Sequence, residues 1–451
     1  MSKKLSLRFK MLWSTGVISV CVVQAVMNYV QLYASDYLGI SVALFGTLIM
    51  GTKIFDAFTD ALGGIIVDRT HSKLGKGRPY DLALIGYWIC IILLFCTPEI
   101  GMTGKVVYVL IMYTLANAVF ATLYNCGNTV YLANALDDPS QSVSAVAFAG
   151  VLGTSITTVA GILIPQMINT MGDQPHGWFK MALCVGIPMI LLGSLRFIFI
   201  KEKHRTDTKR EESLGIKEMF LPLVKNKIAL IVAAISCLTS IGINLYLGVS
   251  AYYCKYIMHD LGLASIISLT LLAIVFLVMA MPALAKKFGL VRVLRVCAIV
   301  GAAGFLLKLL KISSVPLLIV SSLISTVGFY AYNSFVPSML MESMDYGEWK
   351  NGARCEGGIS AANSLSAKVG TAVGMGLSGL LLGIAHYDGL LDVQPDSANQ
   401  MIVALYTWVP AAFCIIEYLL LRIYNIEEKL PQMREEVARR HSESEQENLQ
   451  A

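Results

Sequence analysis

The sequence predicts an all-α membrane protein of twelve transmembrane helices in two pseudo-symmetric six-helix halves. Three observations predict it. Of 451 residues, 56% are hydrophobic and 14% charged, a balance that a soluble core cannot hide. The apolar residues run in twelve tracts, each near the ~20 residues a helix needs to cross the ~30 Å hydrocarbon layer. A polar, basic stretch between Lys201 and Lys227 divides those tracts six and six. Strands are excluded: a barrel needs short alternating segments with a polar lumen face, whereas these continuous runs satisfy their backbone in lipid only as helices.

The predicted spans are 11–33, 41–67, 79–97, 105–134, 142–170 and 178–200, then 228–256, 263–287, 290–311, 315–341, 356–386 and 400–424. They define an N-terminal half (1–200), a linker (201–227), a C-terminal half (228–425) and a tail (426–451). On the first span Gln24, Asn28 and Gln31 fall at i, i+4 and i+7, one polar stripe of a helix. On the second, Lys53, Asp56 and Asp60 fall at i, i+3 and i+7. The fourth carries Asn117, Tyr124, Asn128 and Tyr131, within about 60° of one another if the helix is regular. The eleventh holds Lys368 in Ser364-Leu-Ser-Ala-Lys368-Val-Gly370, and the twelfth holds Glu417 near Arg422, read as a structural group.

The second span carries the chemistry. Each charge near mid-membrane costs ~2.5–3.5 kcal/mol on insertion scales, so three together must face a hydrated, protein-lined interior. A Lys53–Asp56 ion pair leaves Asp60 over, and Asp56 and Asp60, four residues apart, repel. A proton or a sodium ion held at Asp56 and Asp60 relieves that repulsion, which makes Lys53, Asp56 and Asp60 the candidate cation-coupling group. Gln24, Asn28, Gln31, Tyr124, Asn128, Tyr131 and Lys368 are the candidate substrate contacts. Amide and phenol groups exchange hydrogen bonds with hydroxyl-rich or zwitterionic solutes without fixing a charge. The competing use of such stripes is interhelical hydrogen bonding, worth ~0.6 kcal/mol on average.

Neither HExxH, nor Gly-x-Ser-x-Gly, nor paired His within a span occurs, so neither an enzyme nor a resident cofactor is expected. The ten cysteines form no CxxC pair and read as small buried hydrophobes.

Basic residues set the orientation. With the amino terminus inside, all but eight of the 35 Lys and Arg fall in cytoplasmic segments, which places both termini in the cytoplasm of a cell (inner) membrane. The net charge of +5 follows from that asymmetry and requires no nucleic-acid partner. The expected partners are a small solute, the coupling cation and lipid, and the expected state is a monomer. The short turn Gly64-x-x-x-Asp68-Arg69 with Gly75-Lys76-x-Arg78 sets an acid beside arginines, and only its basic part recurs, as Lys286-Lys287-Phe288-Gly289. Asp68, Arg69 and Arg78, with Arg354 and Glu356, are the candidate cytoplasmic gate. No cleaved leader is expected, because the first apolar tract is too long. The polar tail after Arg434 reads as solvated and disordered.

Two blocks carry a family resemblance. The run Asp56-Ala-Phe-Thr-Asp60-Ala-Leu-Gly63-Gly64-Ile-Ile-Val-Asp68-Arg69, continuing to Gly75-Lys76-x-Arg78-Pro79-Tyr80, resembles the glycoside–pentoside–hexuronide:cation symporters of the major facilitator superfamily. So does Asp345-Tyr346-Gly347-Glu348-Trp349-Lys350-x-Gly352-x-Arg354-x-Glu356-Gly357 with Lys368-Val-Gly370. The resemblance implies the major facilitator fold and cation-coupled symport of a glycoside, pentoside or related solute by alternating access. It also implies cation binding at Asp56 and Asp60 and a central-site role for Lys368. Sugar-binding members carry an acid on the first helix and an arginine on the fifth, whereas Ser19-Val20-Cys21 and Val143 to Gly150 hold no charge. A carrier of a non-sugar or amphipathic solute is therefore the first rival, and a transporter-like membrane sensor without turnover is the rival from another class.

Overall fold

The computed structural model describes residues 5–70, 72–136, 139–172, 174–202, 226–351, 356–391, 393–427, 429–437 and 439–440, and these contain helices, turns and no strand. Fourteen α-helices are named in chain order. They are α1 (Leu7–Met27), α2 (Val42–Asp68), α3 (Ala83–Leu94), α4 (Met102–Thr114), α5 (Thr122–Ala135), α6 (Pro139–Met171) and α7 (Gly177–Phe199). After the linker come α8 (Lys227–Tyr252), α9 (Ala264–Phe288), α10 (Leu290–Leu307), α11 (Val315–Asn351), α12 (Glu356–Ile384), α13 (Asp396–Tyr406) and α14 (Trp408–Ile423). Among the described residues, ten helical segments are long and apolar enough to cross a membrane. Their outward faces carry exposed Phe55, Phe58, Leu62 and Ile66 on α2 and Ile187, Leu191 and Ile198 on α7. In water such surfaces would drive aggregation; in lipid they cost nothing.

Several predicted spans are built less regularly than their hydropathy implies. The first turns at Asn28–Tyr29, continues through Val30–Leu32, and ends in a π turn, Tyr33–Tyr37. The fourth is α4 and α5 joined by a π segment, Leu115–Ala121. The twelfth is α13 and α14, interrupted at Thr407. α11 runs past its predicted end at 341 to Asn351, because Met344, Tyr346 and Trp349 still find apolar company there. Of the tail, residues 430–437 are helical, and 441–451, most of the stretch expected to be solvated, lie outside the described residues. Arg434 pairs with Asp345 at 2.7 Å, and the Trp349 indole donates to Glu436 at 2.8 Å, so this part is docked on α11 through Leu430 and Met433 rather than solvated.

The chain forms two compact units, neither of them one continuous stretch. The first gathers Met1–Lys209, Leu247–Leu272 and Met375–Val403; the second gathers Arg210–Tyr246, Ala273–Gly374 and Ala404–Ala451. In the first unit α1 packs on α6 and α7, and α2 on α5, around Trp13, Tyr131, Leu132, Ala145 and Ala149. In the second, α10 packs against α11 and α14, around Val232, Leu294, Tyr332, Met339 and Leu421.

Each unit also contains the same polar clasp. In the first, the Glu202 carboxylate accepts from the backbone N–H groups of Lys76, Gly77 and Arg78 at 2.8, 2.7 and 2.5 Å, while the Arg78 guanidinium donates to the Phe197 carbonyl at 2.8 Å. In the second, Glu427 accepts from Leu290 and Val291 at 2.7 and 3.2 Å, while Arg295 donates to the Leu421 carbonyl at 2.8 Å. Successive N–H groups converge on an anion in both, and the turn opens with a left-handed glycine in both, Gly75 at φ 119° and Gly289 at φ 87°.

Candidate functional site

Helical spacing puts Lys53, Asp56 and Asp60 on one stripe of α2, and the structure supplies its partners from the fourth span. Lys53 Nζ lies 3.1 Å from Asp56 Oδ2 and donates to Asn117 Oδ1 at 3.1 Å, with its ammonium 5.6 Å from the Tyr113 ring centroid. Thr122 Oγ1 donates to Asp60 Oδ1 at 2.8 Å. The remaining oxygen of Asp56, Oδ1, is buried and has no hydrogen-bond partner among the described residues. A buried carboxylate oxygen without a donor is costly. Here it sits beside one cation and a second acid.

The local backbone explains these contacts. The π segment Leu115–Ala121 inserts extra residues into the helix, a device that recurs at functional sites because it turns side chains out of the regular phase. Asn117 lies within it and Thr122 begins the next helix. Close approach is allowed by Gly63, where an added Cβ would stand 2.7 Å from the Thr122 methyl group. Sequence spacing did not single out Thr122. The signal available was a hydroxyl directly after the segment Leu115–Ala121.

The predicted substrate residues separate into groups. Gln24 on α1 and Asn28 in the turn that follows it are exposed. Gln31 is 7% exposed, and its Oε1 accepts from Ser378 Oγ at 3.2 Å. Tyr124, Asn128 and Tyr131 surround a buried arginine that the sequence reading left without a role. Arg196 pairs with Asp81 through Nε and Nη2, and its Nη1 donates to Asn128 Oδ1 at 2.7 Å. It lies over the rings of Trp13, Tyr124 and Tyr131 at 4.4, 5.2 and 5.5 Å. The Tyr131 hydroxyl donates to the Ile200 carbonyl at 2.8 Å. These three polar side chains therefore serve a paired internal charge in this structure. Lys368 is exposed on α12 and belongs to the second unit.

Of the predicted gate, Arg78 is engaged in the Glu202 clasp, and Arg69 is exposed at the end of α2. Arg354 and the side chains of Asp68 and Glu356 lie outside the described residues. Among the described residues no group of three His, Cys, Asp or Glu is placed to hold a metal ion.

Membrane-length helices, with an ionisable stripe held inside one compact unit, define a multi-pass membrane protein. The chain belongs to the MFS/sugar transport protein family, which it matches over residues 15–428. It is 30% identical over 426 residues to the isoprimeverose transporter of Lactiplantibacillus pentosus, covering 93% of this chain and 88% of that one. It is 25% identical over 407 residues to the inner membrane symporter YicJ of Escherichia coli (strain K12), covering 88% and 87%. Its fold is similar to the inward-open xylose transporter XylE from E. coli, with a TM-score of 0.65 over 92% of this chain and 95% of that one, at 14% identity. The last likeness is one of fold.

Proposed function

We propose that the chain is a symporter that moves a small glycoside or pentoside across the cell membrane together with one monovalent cation, a proton or a sodium ion. The observation that carries the reading is the charge balance of the α2 stripe. Lys53 offsets one of the two aspartates, which leaves a single negative charge and an Asp56 oxygen with no donor among the described residues, one helical turn from Asp60, which accepts from Thr122. Hard oxygen donors of this kind suit a proton or an alkali cation. Filling the site removes the net charge, and the loaded carrier then reorients at lower cost.

The relatives named as an isoprimeverose transporter and a symporter support a sugar solute and coupled transport. The exposed amides of Gln24 and Asn28 favour a neutral, hydroxyl-rich solute, since they recognise hydroxyls without a fixed charge. Lys368 on α12 enters as a proposed solute contact on the family resemblance alone. The proposed architecture is twelve helices in two halves that alternate access, monomeric, with both termini cytoplasmic, as the distribution of Lys and Arg requires.

The test is solute uptake by proteoliposomes under imposed proton or sodium gradients, with a panel of neutral glycosides including isoprimeverose. Gradient-driven uptake is expected in the wild type and lost in Asp56→Asn and Asp60→Asn, with passive exchange retained. Undiminished gradient-driven uptake in both variants would sink the coupling assignment. Failure of every sugar in the panel, with an amphiphile transported instead, would remove the glycoside.

A further inference from the structure

A second buried aspartate of the first unit is used quite differently from Asp56. Asp36 sits in the π turn Tyr33–Tyr37 at the end of the first span. Its Oδ1 accepts from Ser35 Oγ at 2.6 Å and from the Tyr387 hydroxyl at 2.5 Å. Its Oδ2 accepts from Lys255 Nζ at 2.5 Å and from the Tyr256 hydroxyl at 2.8 Å. Tyr252 reaches Ser35 at 3.0 Å, and the Tyr387 and Tyr256 hydroxyls are 3.1 Å apart. Four donors from three separated stretches of chain thus converge on one carboxylate.

Lys255 and Tyr256 occupy a π turn, Tyr253–Ile257, that matches the one bearing Asp36. In both, an N–H returns five residues (Leu38 to Tyr33, Met258 to Tyr253) and then six (Ile40 to Ala34, Asp260 to Cys254). Both close on a left-handed residue, Gly39 or His259. Two helices ending in the same manner therefore meet, one with an acid and the other with a base.

Backbone packing beside the knot points the same way. An added Cβ on Gly46 of α2 would stand 2.9 Å from the Gly379 Cα of α12, an approach that only small residues allow. Gln166 of α6 donates to Ser265 Oγ at 3.2 Å. All these residues belong to the first unit.

We propose that Asp36 is the latch of a reversible gate at the end of the helices remote from the amino terminus, closed in this structure and opened when its phenol and ammonium donors withdraw. Alternating access needs a closure at each end that can be undone without unfolding a helix. The Asp36 knot has that form. Its bonds run between side chains and share one acceptor, so losing that carboxylate releases α1, α8 and the turn after α12 together.

The test needs neither solute nor coupling ion, so it stands or falls apart from the symport assignment. Asn28 is exposed on the first span two helical turns before Asp36. Asn28→Cys is labelled by a membrane-impermeant maleimide applied to sealed vesicles from the face opposite the termini, and modification at position 28 is quantified by mass spectrometry. Labelling is expected to be slow in Asn28→Cys alone and about tenfold faster when Asp36→Ala is added, since the open state gains population. Lys255→Met and Tyr387→Phe should fall between, and Gly46→Leu should act like Asp36→Ala by wedging α2 from α12. Labelling from the opposite face should fall in step. Unchanged labelling in monodisperse Lys255→Met, Tyr387→Phe and Gly46→Leu proteins would overturn the latch, whatever Asp36→Ala does to folding.

Discussion

Asp36 and Asp56 lie in the same compact unit, on consecutive spans, and their side chains are 6% and 15% exposed. Each faces one lysine, at 2.5 Å for Asp36 and 3.1 Å for Asp56. The difference is in what else they meet. Asp36 also receives three hydroxyls. Among the described residues, Asp56 receives no further donor on Oδ1. Burying a carboxylate demands that its lone pairs be answered. One aspartate is answered wholly by protein, which suits closure; the other keeps an oxygen for something that arrives. Donor saturation distinguishes the two more clearly than burial or the presence of a lysine does.

The largest effect that sharpens this comparison comes from a third aspartate. Each Asp81 oxygen receives a donor from Arg196, and that partner is 0% exposed inside the helices of one unit. Arg196→Leu strands a buried charge, which costs ~3–5 kcal/mol, so loss of folded protein and a lower Tm in detergent are expected. A similar loss in Lys255→Met, without faster labelling at position 28, would make the Asp36 knot a second Arg196-like strut.

Next in size is Asp56→Asn. A charge-assisted contact of ~1.5–3 kcal/mol corresponds to about 10- to 150-fold in cation half-saturation, measured by direct cation titration. Asp36→Asn should leave that half-saturation unchanged and alter turnover instead. If both variants shift the same parameter, the two carboxylates do not divide the work as described.

Thr122→Ala removes one hydroxyl from Asp60 and should weaken the cation by ~0.5–1.5 kcal/mol, about 2- to 13-fold. A shift in sodium half-saturation with proton coupling untouched would assign sodium as the ion; a shift in neither would leave Thr122 a packing residue. The smallest expected effect is Gly63→Ala, whose methyl must push Thr122 aside from 2.7 Å. A loss of about twofold, ~0.4 kcal/mol, is expected in the same titration.

How much of this was legible in the sequence depends on regularity. α2 is a plain helix over Val42–Asp68, so constant angular spacing put Lys53, Asp56 and Asp60 on one face without further information. The fourth span defeats the same reasoning. Its predicted stripe of Asn117, Tyr124, Asn128 and Tyr131 assumes 3.6 residues per turn throughout, and the π segment Leu115–Ala121 breaks that phase. Asn117 accordingly meets Lys53, while the other three gather about Arg196.

Asp36 escaped notice because it lies just beyond the predicted end of the first span, where a lone acid resembles an ordinary loop residue. The available signal was slight, since Tyr33-Ala-Ser-Asp36 and Tyr253-Cys-Lys-Tyr256 share only their opening tyrosine. Reading it required knowing that two chain segments more than 200 residues apart are brought together. Arg196 and Asp81 were visible singly as charges at predicted span ends. Their pairing depends on the packing of α7 against the turn Arg78–Leu82 that leads into α3, which no local pattern encodes.

The two glutamate clasps bear on how far duplicated stretches of a chain can drift apart. Around Gly75 and Gly289 little of the sequence is shared, yet any side chain added at either glycine meets a carboxylate, Glu202 or Glu427, at 2.5 or 3.0 Å, in a backbone conformation that L-residues avoid. Lipid-facing positions tolerate nearly any apolar replacement, but these two do not. They set a floor under divergence, and a library randomised across both turns should return glycine at 75 and 289 long before it returns any neighbouring residue.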